Sequence, residues 1–300
     1  MINQKIKQLV RPGIYLIVLT AIAIFLYRLG EEPWVLVSEH MGTLFIIMLA
    51  TGAGILVQAE AFRTSYPVNT TPLSIIETFR IWSASAVVSV VTPIFTGIAT
   101  RTTLLVRAGT PLSVCMIAST RQVWMGLEYA ALIGGIAMGL LDYSFAKKIS
   151  ILAIVLWLVM MFIRMSVATK GNQDLPTKIG RYIFSLRSSY PISAHVWFVL
   201  QLFLMSTVYY FGFHGVGASL SWNEAFALSG VTVFISLIAL VPNGLGLTDA
   251  LWVVVGMHTG LTLEASVSLA ILIRMGHLVS AALVYLVIYL FRVGRFRPVG

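Results

Sequence analysis

The feature that most constrains this fold is a helix-breaking run, Val241–Asp249, which lies between the apolar stretches Phe226–Leu240 and Leu251–Gly256. At the depth of a lipid bilayer, a broken helix leaves backbone N–H and C=O groups with no water to bind. Such a break is tolerated where it is buried in protein or lines a cavity, and in transporters it marks the binding site. We therefore expect a site beside Pro242 and Gly246.

A second break repeats this pattern in the N-terminal half. Pro93 and Gly97 have the same spacing as Pro242 and Gly246. In both halves an acidic residue and an apolar run come before the break, and an apolar run and an arginine follow it. The acidic residues are Glu77 and Glu224, and the arginines are Arg121 and Arg274. The shared order of these features predicts an internal duplication.

The composition indicates a membrane protein. Hydrophobic residues make up 58% of the 300 positions and charged residues only 10%, whereas soluble domains have roughly 25% charged residues. We expect one membrane domain over residues 1–300. The net charge of +9 comes from basic residues in short loops and at the ends, which predicts membrane topology rather than nucleic-acid binding. A single cysteine excludes an internal disulfide and a multi-cysteine metal site, and we expect no cofactor.

The lengths of the apolar segments predict an all-α polytopic fold. A span needs about 20 residues, so the pieces Ile98–Val106 and Leu247–Gly256 are too short to cross. Each therefore belongs to a re-entrant hairpin, and the hairpins lie in halves at about 41–141 and 194–291, arranged as an inverted repeat. Six full spans are expected at about 13–29, 41–58, 111–141, 149–167, 197–213 and 263–291.

The positive-inside rule predicts the orientation. Both termini and the basic connector Thr169–Ser193 are expected on the cytoplasmic side of the cytoplasmic (inner) membrane, and the loop that contains Glu31 and Glu32 on the outside. The first hairpin then enters from the cytoplasm and the second from the outside. Inverted repeats with broken helices at their interface are an architecture of secondary transporters.

Three arginines are the main candidates for binding. Arg121 and Arg274 lie ten or eleven residues into their helices, which at 1.5 Å per residue is near the midplane, and Arg101 follows Gly97 by one turn. A central arginine costs roughly 2.5–3.5 kcal/mol to insert, so it faces a cavity or a partner. With the N-termini of two half-helices, the arginines would form an anion site suited to phosphate.

An alternative is that the arginines pair internally, Arg121 with Glu128 and Arg274 with Asp249. Asp249 could also cap its half-helix or carry a proton. No pattern of paired carboxylates, metal-binding histidines or a nucleophilic serine is present, so no catalytic residue is predicted. The candidate substrate-binding residues are Arg101, Arg121, Arg274, Asp249, Gly97, Gly246, Pro93, Pro242 and Glu128.

These motifs resemble a known family. The run Pro242-Asn243-Gly244-Leu245-Gly246-Leu247-Thr248-Asp249-Ala250, followed by Arg274, is similar to the Pro-x-Gly-x-Gly-x-x-Glu-Ala…Arg signature of the lysylphosphatidylglycerol synthase transmembrane region, also called flippase-like family 0104. In the first half, Pro93, Gly97, Arg101, Leu105 and Arg107-Ala108-Gly109 follow the corresponding pattern. Ile98 stands where the family has an acid, and Asp249 replaces its glutamate. The resemblance covers nearly the whole chain.

The resemblance implies lipid translocation between leaflets, or a role beside polyprenyl-phosphate glycosyl transfer. Full-length synthases add a soluble aminoacyl-transferase domain, which this sequence lacks, so we expect no lysyl transfer. Our first expectation is a translocase for an anionic lipid or a polyprenyl-phosphate-linked lipid. The alternatives are a membrane glycosyltransferase, with Asp249 or Glu264 as its base, and a structural partner of lipid-modifying enzymes. Homo-oligomerisation stays open.

Overall fold

The computed structural model describes residues 38–67, 70–91, 94–142, 144–169, 192–238 and 247–293. These residues form helices joined by turns, and no strand occurs among them, which confirms the all-α prediction for this part of the chain. The helices, in chain order, are α1 Met41–Thr64, α2 Ile75–Val91, α3 Ile94–Arg107, α4 Leu112–Gly139, α5 Ser144–Thr169, α6 Ile192–Gly215, α7 Trp222–Ile238, α8 Leu247–His258 and α9 Leu263–Val293.

Four of the described helices are long and apolar enough to cross a membrane: α1, α5 over Ser144–Arg164, α6, and α9 over Leu263–Leu290. Helix α4 has 28 residues and matches the span predicted at 111–141 in length, but it is less apolar and is not one of these four. The span predicted at 13–29 lies outside the described residues. The structure therefore indicates a polytopic membrane protein.

The helices of the two sequence halves pack against each other. Helix α4 packs along α5 and α7, while α2 packs against α3 and α9, and α8 against α9. The crossing of α4 and α7 is close, because a Cβ atom on Gly230 would lie 2.8 Å from the carbonyl oxygen of Ala130 and 2.8 Å from the Cα atom of Gly134. Only glycine fits at that point. The first helix of each predicted hairpin thus contacts the long helix of the other half.

The core beside the first hairpin combines residues from five helices. Phe62 of α1, Trp82 of α2, Leu105 of α3, Cys115 of α4 and Ala281 of α9 are all buried in one cluster. Contacts between side chains distant in sequence make this cluster one contiguous core. It holds α3 in the interior, although α3 is too short to span a membrane.

The helix after the first break begins earlier than the sequence predicted. Helix α3 begins at Ile94 rather than at Ile98, so Gly97 lies inside its first turns. A Cβ atom on Gly97 would clash with the Ser89 hydroxyl and would lie 3.2 Å from the carbonyl oxygen of Ser85. Close packing of α3 on α2, rather than a positive φ, therefore explains the glycine. The break itself, with Pro93, and the second break, residues 239–246, lie outside the described residues.

Candidate functional site

A cavity of about 300 Å³ lies among the helices and is lined by residues of α1, α2, α3, α4, α6, α7 and α9. Apolar side chains form much of its wall, but polar groups from every one of these helices reach it. The polar lining residues are Thr51, Gln58, Ser85, Ser89, Arg101, Gln122, Gln201, Ser236 and His277. Among the described lining residues, Arg101 is the one arginine or lysine, and none is an aspartate or glutamate.

Arg101 is held in place by aromatic rings. Its side chain is buried, with 6% of the residue exposed, and its guanidinium carbon lies 3.9 Å from the ring centroid of Trp82 and 4.8 Å from that of Phe62. Such cation–π contacts contribute about 2 kcal/mol when desolvated. Leu105, one turn later, is buried on the same face of α3. The aromatic contacts fix the position of the cation without neutralising its charge.

Arg101 has no anionic partner among the described residues. The ion pairs formed in this part of the chain do not include it, and its buried Nε atom has no hydrogen-bond partner. The nearby Tyr66 does not supply a charge, because burial raises the pKa of its phenol above the ordinary value and keeps it neutral. A buried charge is stabilised chiefly by an opposite charge and hydrogen bonds, so the cavity favours an anion beside Arg101.

Three glutamines add neutral hydrogen-bonding groups. Gln58 lies on α1, Gln122 on α4 and Gln201 on α6. The Nε2 atom of Gln122 donates to the backbone carbonyl oxygen of Gln58 at 3.4 Å, so the side-chain amide of Gln58 is not used in this bond. The buried Oε1 atom of Gln201 and the Oγ1 atom of Thr51 have no partner among the described residues. An amide offers both donors and acceptors. The cavity can therefore bind neutral polar groups beside an anion.

Sequence reasoning missed these glutamines. They lie in three different helices, and they come together only through packing. The signal that could have found them is an uncharged amide inside an apolar run, because a polar side chain at membrane depth needs a partner.

Arg121 lies elsewhere. It is 5% exposed and its Nη1 atom donates to the carbonyl oxygens of Ser65 and Tyr66, at 3.3 and 3.4 Å. It thereby ties α4 to the end of α1, where helix carbonyls lack intrahelical partners. Arg121 is not among the described lining residues of the cavity.

The sequence suggested that Glu128 pairs with Arg121, but the ion pair that the structure shows for Glu128 is with another arginine. The Oε2 atom of Glu128 instead lies 3.3 Å from Nη1 of Arg164 on α5, and its Oε1 atom accepts a bond of 2.7 Å from the indole N–H of Trp124. Glu128 therefore joins α4 to α5. The sequence of α4 places one arginine and one glutamate on the same helix face. It does not show that Arg164 of another helix packs beside Glu128.

The pairing of Arg274 with Asp249 is confirmed. Nε and Nη2 of Arg274 donate to the two carboxylate oxygens at 2.8 and 3.0 Å, and Nη2 also donates to Thr248 Oγ1 at 2.6 Å. The guanidinium lies over Trp252, 5.1 Å from the ring centroid. This pair connects the short helix α8 to α9. His277, three residues after Arg274 on α9, lines the cavity, so the pair lies close to the cavity wall.

The nine predicted site residues thus separate into three groups. Arg101 and Gly97 line the cavity, whereas the contacts of Arg121, Arg274, Asp249 and Glu128 hold helices together. Pro93, Pro242 and Gly246 lie outside the described residues. Within the described ranges, no group of three or more His, Cys, Asp or Glu side chains could hold a metal ion.

The fold and the site define a polytopic helical membrane protein with a buried cation in the wall of a cavity among its helices. Comparison with known proteins adds no relative, since no family model matches the sequence and no curated protein matches it. The resemblance to the lysylphosphatidylglycerol synthase transmembrane region stays a prediction.

Proposed function

We propose that the protein is a lipid translocase that moves an anionic lipid, a phospholipid or a polyprenyl-phosphate-linked lipid, between the leaflets of the cytoplasmic membrane. The head group binds in the cavity beside Arg101 while the hydrocarbon chains stay in the bilayer. The single observation that supports this proposal most is Arg101, a buried cation without an anionic partner among the described residues, on the wall of a cavity.

The chemistry of the cavity fits a phosphate-bearing head group. A guanidinium binds two phosphate oxygens at once, which makes it a stronger phosphate ligand than a point charge. The volume of about 300 Å³ is at the lower end of the range of ligand pockets, so it suits a head group rather than a whole lipid.

The outer surface of α1 fits the chains of such a lipid. Phe45 and Leu49 on α1 are 60% and 58% exposed, whereas Thr51 and Gln58 on the same helix line the cavity. A lipid whose head enters the cavity can therefore keep its tails against an apolar surface. This separation of polar and apolar contact is what transfer of a head group across the hydrocarbon requires.

The packing of the halves supports alternating access. Helices α1 and α6 both have 24 residues, and α2 and α7 both have 17. The contacts of α2 with α9 and of α7 with α4 are the reciprocal pair that a two-fold relation between halves would produce. We propose an inverted repeat in which one half rocks against the other around the cavity, with both termini in the cytoplasm.

The cavity favours transport over glycosyl transfer. A glycosyltransferase needs a base beside its acceptor, and no described lining residue is a carboxylate. Of the two candidate bases, Asp249 is engaged by Arg274, and Glu264 is exposed at the start of α9. A membrane glycosyltransferase is therefore an outcome to be tested rather than a second proposal.

The test is a leaflet-resolved transport assay with purified protein in liposomes. The probe is an anionic phospholipid whose acyl chain carries a fluorophore that dithionite reduces, such as nitrobenzoxadiazole. Dithionite reaches only the outer leaflet, so transfer of lipid from the inner leaflet appears as a rising reducible fraction. We expect Arg101→Gln to slow transfer about tenfold or more, because a lost charge-assisted bond is worth about 1.5–3 kcal/mol. Arg107→Gln is the matched control, since Arg107 is an exposed arginine of the same helix.

Three results would count against the proposal. Equal rates in protein-containing and protein-free liposomes would refute translocation. Equal rates in Arg101→Gln and Arg107→Gln would remove Arg101 from the site. A covalently altered lipid, or sugar transferred from a lipid-phosphate donor, would identify an enzyme, and mass spectrometry of the recovered lipid detects both.

A further inference from the structure

We infer that the cavity selects head groups that carry one negative charge, as a phosphodiester does, together with neutral hydrogen-bonding groups. It discriminates against phosphomonoesters, which carry a second charge, and against zwitterionic head groups with an amine. This inference rests on the proposed function. The proposed function leaves open whether the lipid is a phosphodiester or a phosphomonoester, and this inference names the class.

The number of charges in the wall is the first reason. Arg101 is the one arginine or lysine among the described lining residues. One cation balances one negative charge. A second negative charge on the same head group would be transferred from water to this wall without a partner, which is strongly unfavourable.

The absence of any anion from the described wall is the second reason. An amine head group is bound by a carboxylate or by an aromatic cage. No described lining residue is a carboxylate, and the ring faces that Trp82 and Phe62 present here are already occupied by Arg101. An amine in this cavity would also lie near a cation. The wall therefore disfavours ethanolamine and choline head groups.

The glutamines are the third reason. Gln58, Gln122 and Gln201 come from three helices that surround the cavity, and all three line it. Their side-chain amides offer both donors and acceptors, so they can form hydrogen bonds with a ligand hydroxyl. The head group that fits best therefore bears hydroxyl or amide groups beyond its phosphodiester.

Three lipids with identical acyl chains separate the effect of the second charge from the effect of the hydroxyls. Phosphatidylmethanol is a phosphodiester with no further polar group, phosphatidylglycerol adds two hydroxyls, and phosphatidic acid is a phosphomonoester. The measurement is equilibrium binding of each lipid to purified protein in detergent. Above about pH 8 the phosphomonoester carries two charges, and below about pH 5 it carries one.

We expect phosphatidic acid to bind about tenfold or more weakly than phosphatidylmethanol at the higher pH, and the two affinities to converge at the lower pH. Phosphatidylmethanol does not titrate in this range, so it reports any effect of pH on the protein. Phosphatidylglycerol should bind about threefold to tenfold more tightly than phosphatidylmethanol, the effect of one neutral hydrogen bond.

Two variants locate the selectivity. Arg101→Gln should weaken all three lipids and leave phosphatidic acid the weakest ligand at the higher pH, because its second charge still has no partner in the wall. Arg107→Gln should change neither the affinities nor their order. Gln201→Leu should remove the advantage of phosphatidylglycerol and leave the affinity for phosphatidylmethanol unchanged. Circular dichroism and gel filtration verify that each variant is folded.

Tighter or equal binding of doubly charged phosphatidic acid would overturn the charge argument. An unchanged preference for phosphatidylglycerol in Gln201→Leu would overturn the role of the amide. The proposed function can fail separately from this inference. If the affinities follow the expected order but no lipid moves between leaflets in liposomes, the selectivity stands and translocation is refuted. If lipid moves but the affinities do not follow the expected order, translocation stands and the selectivity is refuted.

Discussion

The pair of Arg274 and Asp249 gives a prediction whose size follows from its geometry. Two charge-assisted bonds, at 2.8 and 3.0 Å, join the half-helix α8 to α9, and a third bond of 2.6 Å joins Arg274 to Thr248. Replacing Arg274 by glutamine leaves a carboxylate without its cation. Replacing Asp249 by asparagine leaves a guanidinium without its anion. Making both changes leaves two neutral amides.

Breaking a fully buried ion pair costs about 3–5 kcal/mol. The Arg274 side chain is 17% exposed and the Asp249 side chain 24% exposed, so this pair is not fully buried. We therefore expect each single substitution to lower the free energy of unfolding by about 2–3 kcal/mol, less than the fully buried value. At about 2–4 °C per kcal/mol for chains of comparable size, this is a fall in Tm of about 4–12 °C. The double variant should recover about 1–2 kcal/mol through its coupling.

The measurement is thermal unfolding of Arg274→Gln, Asp249→Asn and the double variant in one detergent. Arg107→Gln is a control, because Arg107 is exposed and belongs to none of the ion pairs found among the described residues, so its loss should change stability by only about 0.5 kcal/mol. Additive effects of the two substitutions would refute the pairing. Lipid affinity that falls in Arg274→Gln and stays low in the double variant would show that Arg274 also binds lipid.

Two further predictions concern packing and topology. Gly97→Ala should lower stability by about 1–3 kcal/mol through overpacking against α2. The control is Gly42→Ala, where a Cβ atom meets nothing within 4 Å, and it should be neutral or stabilising. Equal thermal shifts of the two variants would contradict the close approach of α3 and α2. The topology is tested with Thr259→Cys, in the turn after α8, in a Cys115→Ala background. This cysteine should react with an impermeant thiol reagent from outside the cell. Labelling from the cytoplasm alone would refute both the orientation and the inverted repeat.

The sequence by itself determined the class of protein and most of the helices. Apolar runs of about 20 residues leave a chain few ways to satisfy its backbone in a membrane, and the positions of α1, α5, α6 and α9 follow from them. Local chemistry also predicted the start of α8 at Leu247, and it suggested the pairing of Arg274 with Asp249 as the alternative to an anion site. The start of α3 was predicted four residues too late, because Gly97 was taken as a helix breaker although its small size serves close packing.

Only the tertiary structure decided which charged residues belong to the cavity. Arg101, Arg121 and Arg274 look equivalent in sequence, since each is an arginine in an apolar helix after a break. Their partners differ: aromatic rings around Arg101, backbone carbonyls at Arg121, and a carboxylate at Arg274. The three glutamines likewise converge from separate helices. Pairing and convergence depend on the rotation and depth of packed helices, and these are set by side-chain contacts between residues far apart in the chain.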